Sequence, residues 1–300
     1  MDQERSKPLF SCEFFPPNDD NAAARLRQVR QTLWQALPLE YCSVTYGAGG
    51  STRNRTFETV FDLHHDGVPV APHLTCVAST RENMRAILEL YRKQGINRIV
   101  ALRGDMPAGM QAPGELRYAS DLVDFIRATS GDHFFIEIAA YPEFHPQADS
   151  PQRDLENFKR KVDAGANSAI TQYFFNPDAY FRFVEQCQRV GVEIPIMPGI
   201  MPITNFKQLA RFSNLCGAEI PRWLRLRLEA CGDDLDAIRA LGLEAVSHLC
   251  QRLLEQGAPG LHFYTMNQTA AVLAICKNLG LTKSSATASM TPNVAELSST

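Results

Sequence analysis

The sequence lacks any long uninterrupted run of apolar residues. Its 300 residues are 45% hydrophobic and 21% charged, yet no stretch reaches the roughly 18 apolar residues that a membrane-spanning helix needs. Residues 1–5 also lack the apolar core of a secretory signal peptide. We therefore expect a cytoplasmic protein that has no membrane partner.

An excess of charge of one sign is missing as well. The chain has 30 Lys and Arg residues against 33 Asp and Glu residues, which gives a formal net charge of -3 and a pI near 6.2. Because nucleic acid is bound through a broad positive field, it is not expected as a partner. A small-molecule substrate is the remaining expectation.

Motifs for metal binding and for nucleophilic catalysis are absent too. The eight cysteines are scattered, no two of them have C-x-x-C spacing, and no H-E-x-x-H motif occurs. We expect reduced, mostly buried cysteines and no metal. A G-x-S-x-G elbow, a G-x-G-x-x-G fingerprint and a P-loop are missing. The turn at residues 47–52 could still place backbone amides against a phosphate or a ring.

What the sequence does contain is a regular alternation of two patterns. Eight apolar, β-rich runs, several of them apolar nearly throughout, are typical of parallel strands buried on both faces. They lie at residues 9–15, 41–46, 70–77, 98–102, 133–141, 168–174, 194–199 and 261–265. Helical spacing with helical start and stop signals is found at residues 22–37, 80–94, 120–130, 151–164 and 177–190.

Eight strands alternating with helices predict an α/β protein, a (β/α)8 TIM barrel. Additional helices are expected between strands 7 and 8, at residues 204–215, 222–230 and 234–256. We predict a single catalytic domain over residues 1–281. Residues 282–300 are rich in Ser, Thr and Ala and are predicted to form a disordered tail.

A parallel barrel places its active site at the carboxyl ends of its strands, and Glu13 lies there in the first strand. Strand alternation puts Ser11, Glu13 and Phe15 on one face. Burial among aromatic residues would raise the pKa of Glu13 and suit it to act as a general acid. The alternative is a structural carboxylate paired to Arg or Lys.

Further polar residues follow other strands. Arg103, Gly104 and Asp105 could bind an anionic or hydrogen-bonding edge of a flat ligand, although a surface turn is the usual fate of this tripeptide. His73 and His145 have no partners at metal-ligand spacing, so each is either a structural histidine or a hydrogen-bonding partner of a cofactor.

Helical spacing groups a further set of polar residues on one side of the helix at 151–164: Asp154, Asn157, Arg160 and Lys161. Such a face is most often solvated. If it faces a ligand, the basic pair suits a diphosphate and the carboxylate a ribose hydroxyl.

Ten short motifs together resemble the methylenetetrahydrofolate reductase family in its bacterial, single-catalytic-domain form, from about residue 10 to residue 280. They are EFFPP at 13–17, SVTYGA at 43–48, APHLTC at 71–76, ALRGD at 101–105, YASDL at 118–122, AYPE at 140–143, KRKVDAGA at 159–166, AITQ at 169–172, PGI at 198–200 and NFKQ at 205–208.

The resemblance implies a homo-oligomeric (β/α)8 barrel that holds FAD without a covalent bond. It implies that NADH or NADPH reduces 5,10-methylenetetrahydrofolate to 5-methyltetrahydrofolate through this flavin, a step in one-carbon metabolism and methionine supply. Glu13 would donate the proton that opens the folate five-membered ring. Asp105 would contact flavin and folate and stabilise the developing cation.

Residues that match the family's binding positions extend the site. The FAD-contacting matches are Thr45, Tyr46, Ala48, His73, Arg103, Gly104, Asp105, Tyr118, Ala119, Tyr141, His145, Ala148, Asp154, Asn157, Arg160 and Lys161. The folate-contacting matches are Glu13, Asp105, Gln172, Gln208 and Phe212, and Gln172 would also meet the nicotinamide. Gln268 stands where the family commonly has a folate-binding Arg, so the guanidinium fork and its charge are lost.

Two alternatives remain open from the sequence. One is another barrel enzyme, such as a lyase or aldolase acting on a phosphorylated substrate, which would use a Schiff-base Lys on a strand or a phosphate cup after strands 7 and 8. The other is a catalytically silent barrel that binds folate or flavin. The substitution at Gln268 favours the second, whereas the presence of Glu13 and Asp105 counts against it.

Overall fold

The computed structural model describes residues 7–46, 53–105 and 114–283. In chain order its elements are β1 (Leu9–Phe14), α1 (Asp20–Ala36), β2 (Leu39–Val44), α2 (Arg53–His65), β3 (Val70–Thr75), α3 (Arg81–Lys93), β4 (Arg98–Leu102), α4 (Ala119–Ser130), β5 (Phe135–Ala140), α5 (Pro151–Asp163), β6 (Ser168–Thr171), α6 (Pro177–Arg189), β7 (Ile196–Met197), β8 (Gly199–Ile200), α7 (Phe206–Cys216), α8 (Arg222–Ala230), α9 (Leu235–Glu255), β9 (Gly260–Tyr264) and α10 (Ala270–Asn278).

The strands form a parallel barrel that closes through an interrupted strand. Their order is β7-β6-β5-β4-β3-β2-β1-β9-β8, and β7 and β8 at its two ends are separated along the chain only by Pro198. Proline has no backbone N–H for a ladder, but its carbonyl accepts a bond from the N–H of His262 at 3.0 Å. If β7 and β8 are counted as one strand, the barrel has eight strands. The predicted (β/α)8 barrel is therefore confirmed.

The helices agree with the sequence where their termini are marked. Thr80 caps α3 by accepting a bond from the N–H of Asn83 at 3.2 Å, and Ser150 caps α5 just before Pro151. The three helices expected between the seventh and eighth predicted strands are α7, α8 and α9, which lie between β8 and β9. No helix in the described ranges combines the length and the apolar character that crossing a membrane requires.

Two helices, α2 and α10, were not predicted. The first follows the turn at residues 47–52 and opens with polar residues, and the second is apolar around most of its circumference. Neither therefore shows a clear apolar stripe at helical spacing. Burial explains α10, because it packs against α9 and buries Val272, Ile275 and Cys276.

Each strand is buried on both faces, which explains the continuous apolar runs. Phe10, Cys12 and Phe14 of β1 face outward into the main core beneath the helices. A smaller cluster fills the barrel lumen and comprises Tyr41, Ala71, Val100, Ile170 and Met197.

All eight cysteines are unpaired, and six of them are buried. Burial raises the pKa of Cys42 to about 12 and that of Cys76 to about 11, so both thiols are poor nucleophiles at neutral pH. The expectation that the cysteines are mostly buried is confirmed, and that they are reduced stays a prediction. The single domain over residues 1–281 stays a prediction, and the predicted tail lies outside the described residues from residue 284 onward.

Candidate functional site

A cavity of about 580 Å³ opens at the carboxyl ends of the barrel strands. Six of the residues singled out from the sequence line it: Glu13, His73, Asp105, Tyr141, Gln172 and Phe212. Its floor is apolar and includes Val100, Leu102, Ile138, Ala139 and Ile170. The cavity thus combines an apolar floor with a few polar groups, the usual composition of a small-molecule site.

Glu13 lies at the base of this cavity between two histidines. Its side chain is 9% exposed, and its Oε2 lies 3.2 Å from His73 Nε2 and 3.8 Å from His262 Nε2. The histidines belong to β3 and β9, so three separate strands bring these groups together. The alternation predicted for β1 is confirmed, because Glu13 and Phe15 both line the cavity.

The pKa expected for Glu13 was wrong. Burial does raise it, as the sequence suggested, but the positive charge of His73 and the approach of both imidazoles outweigh burial and lower the pKa to about 2. Neither Nε2 atom is aligned for a good hydrogen bond to the carboxylate among the described residues, so the effect of His73 is mainly that of charge. The protein alone holds Glu13 as a carboxylate, paired to histidine rather than to Arg or Lys.

His262 was missed by the sequence analysis. It is fully buried, and its Nδ1 lies 2.7 Å from the Oγ of Ser11, which is also fully buried. Strand alternation could have revealed it: Ser11 and Glu13 of β1 pair in register with His262 and Tyr264 of β9.

Hydrogen bonds from the residues just after β9 hold the end of β1, where Glu13 lies. Thr265 Oγ1 donates to the carbonyl of Glu13 at 2.6 Å. The side-chain amide of Asn267 accepts from the N–H of Phe15 and donates to its carbonyl, both at 2.9 Å. Three hydrogen bonds thus restrict the backbone at the end of β1, and a fourth, from the N–H of Asn267 to Thr265 Oγ1 at 3.1 Å, orders the turn that supplies them.

Gly199 is required where β8 meets its neighbours. A Cβ there would lie 2.2 Å from the carbonyl oxygen of Thr171 and 2.8 Å from the hydroxyl of Tyr264. The absent side chain lets Tyr264 donate to the Thr171 carbonyl at 2.7 Å. This bond ties β9 to β6 across the barrel mouth, beside the cavity.

The segment that follows β5 holds several predicted cofactor residues. The rings of Tyr141 and His145 meet edge to face with their centroids 4.5 Å apart. Asp154 accepts from the N–H of His145 at 3.0 Å, and Arg103 donates to the side chain of Gln147 at 2.6 Å. Burial lowers the pKa of His145, with the charge of Asp154 opposing this effect. The same segment contains Ala148, whose N–H donates to the carbonyl of His145 at 2.9 Å.

The polar residues of α5 face in two directions, some towards solvent and some towards the barrel. Asn157 and Arg160 are exposed and hydrogen-bond each other at 3.2 Å. Lys161 instead turns towards β5, where its Nζ donates to the carbonyl of Ala139 at 2.5 Å. Burial lowers the pKa of Lys161 to about 8, although the nearby charge of Asp154 raises it.

Other predicted cofactor residues lie around the rim. Thr45 and Tyr46 follow β2, while Tyr118 precedes α4 and Ala119 begins it. Gly104 has a φ of +84°, and a Cβ there would lie 2.9 Å from side-chain atoms of Thr75 and Val77, so glycine is needed there. Ala48 and the turn at residues 47–52 lie outside the described residues.

Two predicted folate residues are not in the cavity wall. Gln208 is exposed, one turn before Phe212 on α7, and Gln268 is exposed after Met266 and Asn267. Met266 and Asn267 have φ values of +52° and +56°, so the chain turns sharply after β9. This turn directs Met266 into the cavity wall and leaves Gln268 outside it.

Comparison with known proteins identifies the family. A profile of the methylenetetrahydrofolate reductase family matches residues 1–280. The chain belongs to this family. It is 41% identical over 278 residues to 5,10-methylenetetrahydrofolate reductase of Salmonella typhimurium, with 90% of each chain covered, and equally similar to that of Escherichia coli.

One further relative is longer than this chain, and one solved structure shares its fold. Methylenetetrahydrofolate reductase (NADH) 1 of Arabidopsis thaliana is 38% identical over 292 residues, which are 93% of this chain and 49% of the plant protein. A Clostridium thermocellum protein described as binding two copies of 5-methyl-5,6,7,8-tetrahydrofolic acid has the same fold at a TM-score of 0.65, with 17% identity and 92% and 96% of the two chains covered.

Within the described residues, no three His, Cys, Asp or Glu side chains are grouped so that they could hold a metal ion. The cavity presents a small set of polar and apolar groups. These are the buried carboxylate of Glu13 with His73 beside it, the carboxylate of Asp105 and an apolar floor.

Proposed function

We propose that this methylenetetrahydrofolate reductase family member reduces 5,10-methylenetetrahydrofolate to 5-methyltetrahydrofolate. The electron donor is NADH or NADPH, and the carrier is non-covalently bound FAD. The observation that supports this most is the position of Glu13, a buried carboxyl group at the base of the cavity in a chain whose bacterial relatives bear this enzyme's name. The name of the Arabidopsis relative favours NADH.

The residues around the cavity suit a flavin. The floor of Val100, Leu102 and Ile170 is apolar and could support a planar ring. Arg160, exposed on α5, could bind a diphosphate, and the ammonium of Lys161, which is turned towards β5, adds positive charge nearby. The chemistry that bound FAD would supply is hydride transfer from the nicotinamide to the folate. The protein itself contributes binding, orientation and proton transfer.

The chain's own residues then have distinct tasks. Glu13, a carboxylate in the protein alone, first takes up a proton and then passes it to the folate nitrogen. The bond from that nitrogen to the methylene carbon breaks, and its electron pair stays on the nitrogen. Asp105 faces the same cavity and stabilises the resulting cation. Gln172 and Phe212 orient the folate, with Gln208 and Gln268 at the outer rim.

The first alternative from the sequence, another barrel enzyme, is weakened. A Schiff-base aldolase would need a lysine on a strand facing the lumen, whereas Lys161 is on a helix and is bonded to a backbone carbonyl. Family membership also argues against an unrelated chemistry.

The proposal includes a cytoplasmic homo-oligomer, which size-exclusion chromatography with light scattering would check.

The visible spectrum of the purified protein tests the proposal. A flavin band should bleach with NADH without air and return when 5,10-methylenetetrahydrofolate is added. A protein that remains colourless after incubation with FAD would contradict the flavin part. A reduced flavin that the folate fails to reoxidise would leave a silent folate- or flavin-binding barrel instead.

A further inference from the structure

Asn267 lies in a turn that ordinary residues adopt reluctantly. Met266 and Asn267 have φ values of +52° and +56°, in the left-handed region where most side chains crowd the backbone. Met266 lies in the cavity wall, whereas Asn267 is not among the described residues that line the cavity. Asparagine tolerates such a φ, but glycine does so too. The conformation of the turn therefore does not account for the amide group of Asn267.

The side-chain amide of Asn267 pairs with both backbone groups of Phe15. Its oxygen accepts from the N–H of Phe15, and its nitrogen donates to the carbonyl of Phe15, both at 2.9 Å. The backbone pairing between β1 and β9 ends before this point, at Glu13 and Tyr264. A side-chain amide carries the same donor and acceptor as a peptide group. Asn267 therefore continues the pairing of β1 and β9 beyond its last backbone pair.

The chain around Phe15 makes this pairing important for the position of its ring. The next two residues, Pro16 and Pro17, have no backbone N–H to donate. A bond from Arg55 to the carbonyl of Pro17 at 3.1 Å holds the chain further on. Phe15 is 39% exposed, so packing against the protein covers only part of its surface. The position of the ring thus depends strongly on how the backbone at Phe15 is held.

Phe15 is one of the residues that a substrate in the cavity would meet. It lines the cavity together with Glu13, which lies two positions earlier on the same face of the chain. In the proposed reaction Glu13 acts on a ring nitrogen of the folate, so the ring system of the substrate comes close to Phe15. A partly exposed aromatic side chain offers such a ring a large apolar contact.

We propose that Asn267 is a positioning residue, which holds the ring of Phe15 as an apolar contact for the ring system of the folate. This inference rests on the proposed function. Glu13 has a separate anchor, because Thr265 Oγ1 donates to its carbonyl at 2.6 Å. Loss of the Asn267 amide should therefore weaken folate binding and leave the proton transfer by Glu13 nearly unchanged.

Three variants separate this role from general damage to the barrel. Asn267→Gly removes the amide without forcing a side chain into the left-handed region. Phe15→Ala removes the ring but keeps the backbone groups with which Asn267 pairs. Asn278→Ala is the matched control, because the amide of Asn278 also donates a hydrogen bond, to Ser247 at 3.0 Å, but it is exposed on α10 and outside the cavity wall.

The first readout needs neither substrate nor reaction. Hydrogen–deuterium exchange with mass spectrometry should show a protected N–H at residue 15 in the wild type, in Phe15→Ala and in Asn278→Ala. In Asn267→Gly this N–H should exchange about tenfold faster or more. The N–H of Thr45, which donates to the carbonyl of Phe14 at 2.9 Å, should exchange equally in all four proteins. Equal exchange at residue 15 in the wild type and Asn267→Gly would overturn the proposal.

The second readout is the equilibrium binding of 5-methyltetrahydrofolate to the protein as purified, measured by titration calorimetry. Asn267→Gly should bind about five- to tenfold more weakly than the wild type, Phe15→Ala at least as weakly, and Asn278→Ala equally well. The double variant at residues 15 and 267 should bind no more weakly than Phe15→Ala, because Asn267 acts through that ring. Equal affinity of the wild type and Asn267→Gly, or losses that multiply in the double variant, would overturn the proposal.

The third readout separates binding from chemistry in the reoxidation of reduced flavin by 5,10-methylenetetrahydrofolate. Asn267→Gly should need about five- to tenfold more folate to reach half its limiting rate, while the limiting rate stays within about twofold of the wild type. A lower limiting rate with an unchanged half-saturating concentration would overturn the proposal.

Failure of the proposed function would look different. A wild type that binds 5-methyltetrahydrofolate but does not reduce 5,10-methylenetetrahydrofolate would refute that function, while hydrogen exchange and calorimetry still judge the role of Asn267. If Asn267→Gly does not fold, the protection of the Phe15 N–H in the wild type and the folate affinity of Phe15→Ala decide.

Discussion

His73 Nε2 lies 3.2 Å from Glu13 Oε2, at the base of the cavity. The two residues are on β1 and β3, so this contact spans the strand between them. It sets the charge state of Glu13, because the imidazole lowers the pKa of a carboxyl group whose burial alone would raise it. The charge state of Glu13 is therefore determined by a cluster of interacting ionisable groups and not by Glu13 alone.

The lowered pKa of Glu13 predicts a pH dependence of stability. A carboxyl group whose pKa is lowered by folding stabilises the protein above its unfolded pKa, and this contribution is lost as the pH falls through the folded value, here about 2. Between about pH 5 and pH 2 the free energy of unfolding should fall more steeply in the wild type than in Glu13→Gln.

Urea unfolding at a series of pH values measures this difference. Glu40→Gln is a suitable control, since Glu40 lies on β2 and is exposed, and its pH profile should follow that of the wild type. Parallel profiles for the wild type and Glu13→Gln would show that Glu13 is not stabilised as a carboxylate.

Arg160 should contribute to FAD retention. It is exposed on α5 beside Asn157, where its guanidinium could bind a diphosphate in a bidentate manner. Arg160→Ala should weaken FAD binding by about tenfold, measured by fluorescence as FAD is added to apoprotein. Arg153→Ala on the same helix, which removes an exposed pair with Glu156, should bind FAD like the wild type. Equal affinities for all three proteins would argue against this assignment.

Lys161 should make FAD binding sensitive to pH. Its pKa is lowered to about 8 by burial, so the ammonium is present below that pH and lost above it. FAD affinity should therefore decline as the pH rises through about 8 in the wild type. Lys161→Met should be weaker at pH 7 and show no such decline, whereas Lys159→Met, which removes an exposed pair with Asp163, should behave like the wild type. If FAD affinity still declines through about pH 8 in Lys161→Met, a group other than Lys161 causes the decline.

The barrel was predictable because its signals are local and repeated. Continuous apolar strands, Pro151 at the start of α5 and the cap at Thr80 could all be identified from the chain alone. Helix α10 could not, because it is apolar almost all round and its register depends on packing against α9. The interruption of the seventh strand at Pro198 also becomes visible only when its two halves pair with different neighbours.

The cavity was partly predictable for a different reason. Glu13 and His73 are conspicuous polar residues in apolar strands, so position along the chain is enough to select them. The charge state of Glu13 depends on the distances to His73 and His262, and no sequence pattern specifies such distances. Ser11 was placed on the Glu13 face of its strand from the sequence, but His262 and its contact with Ser11 were missed because that contact joins the first and last strands of the barrel.

Gln268 provides a test at the rim. It stands where the family commonly has Arg, and it is exposed just after the turn at Met266 and Asn267. Gln268→Arg adds a guanidinium that can pair with a carboxylate of the folate, so the KM for folate should fall several-fold while kcat changes little. Gln152→Arg, exposed on α5, is the control for added charge. An unchanged KM would mean that residue 268 does not meet the substrate.

The central claim is that Glu13 serves the folate step and not the nicotinamide step. Stopped-flow absorbance of the flavin, without air, follows both steps in wild-type protein and in Glu13→Gln. We predict that NADH reduces the flavin in both proteins at similar rates, and that reoxidation by 5,10-methylenetetrahydrofolate is at least about a hundredfold slower in Glu13→Gln. Equal reoxidation rates, or loss of the NADH step together with the folate step, would contradict this account of the site.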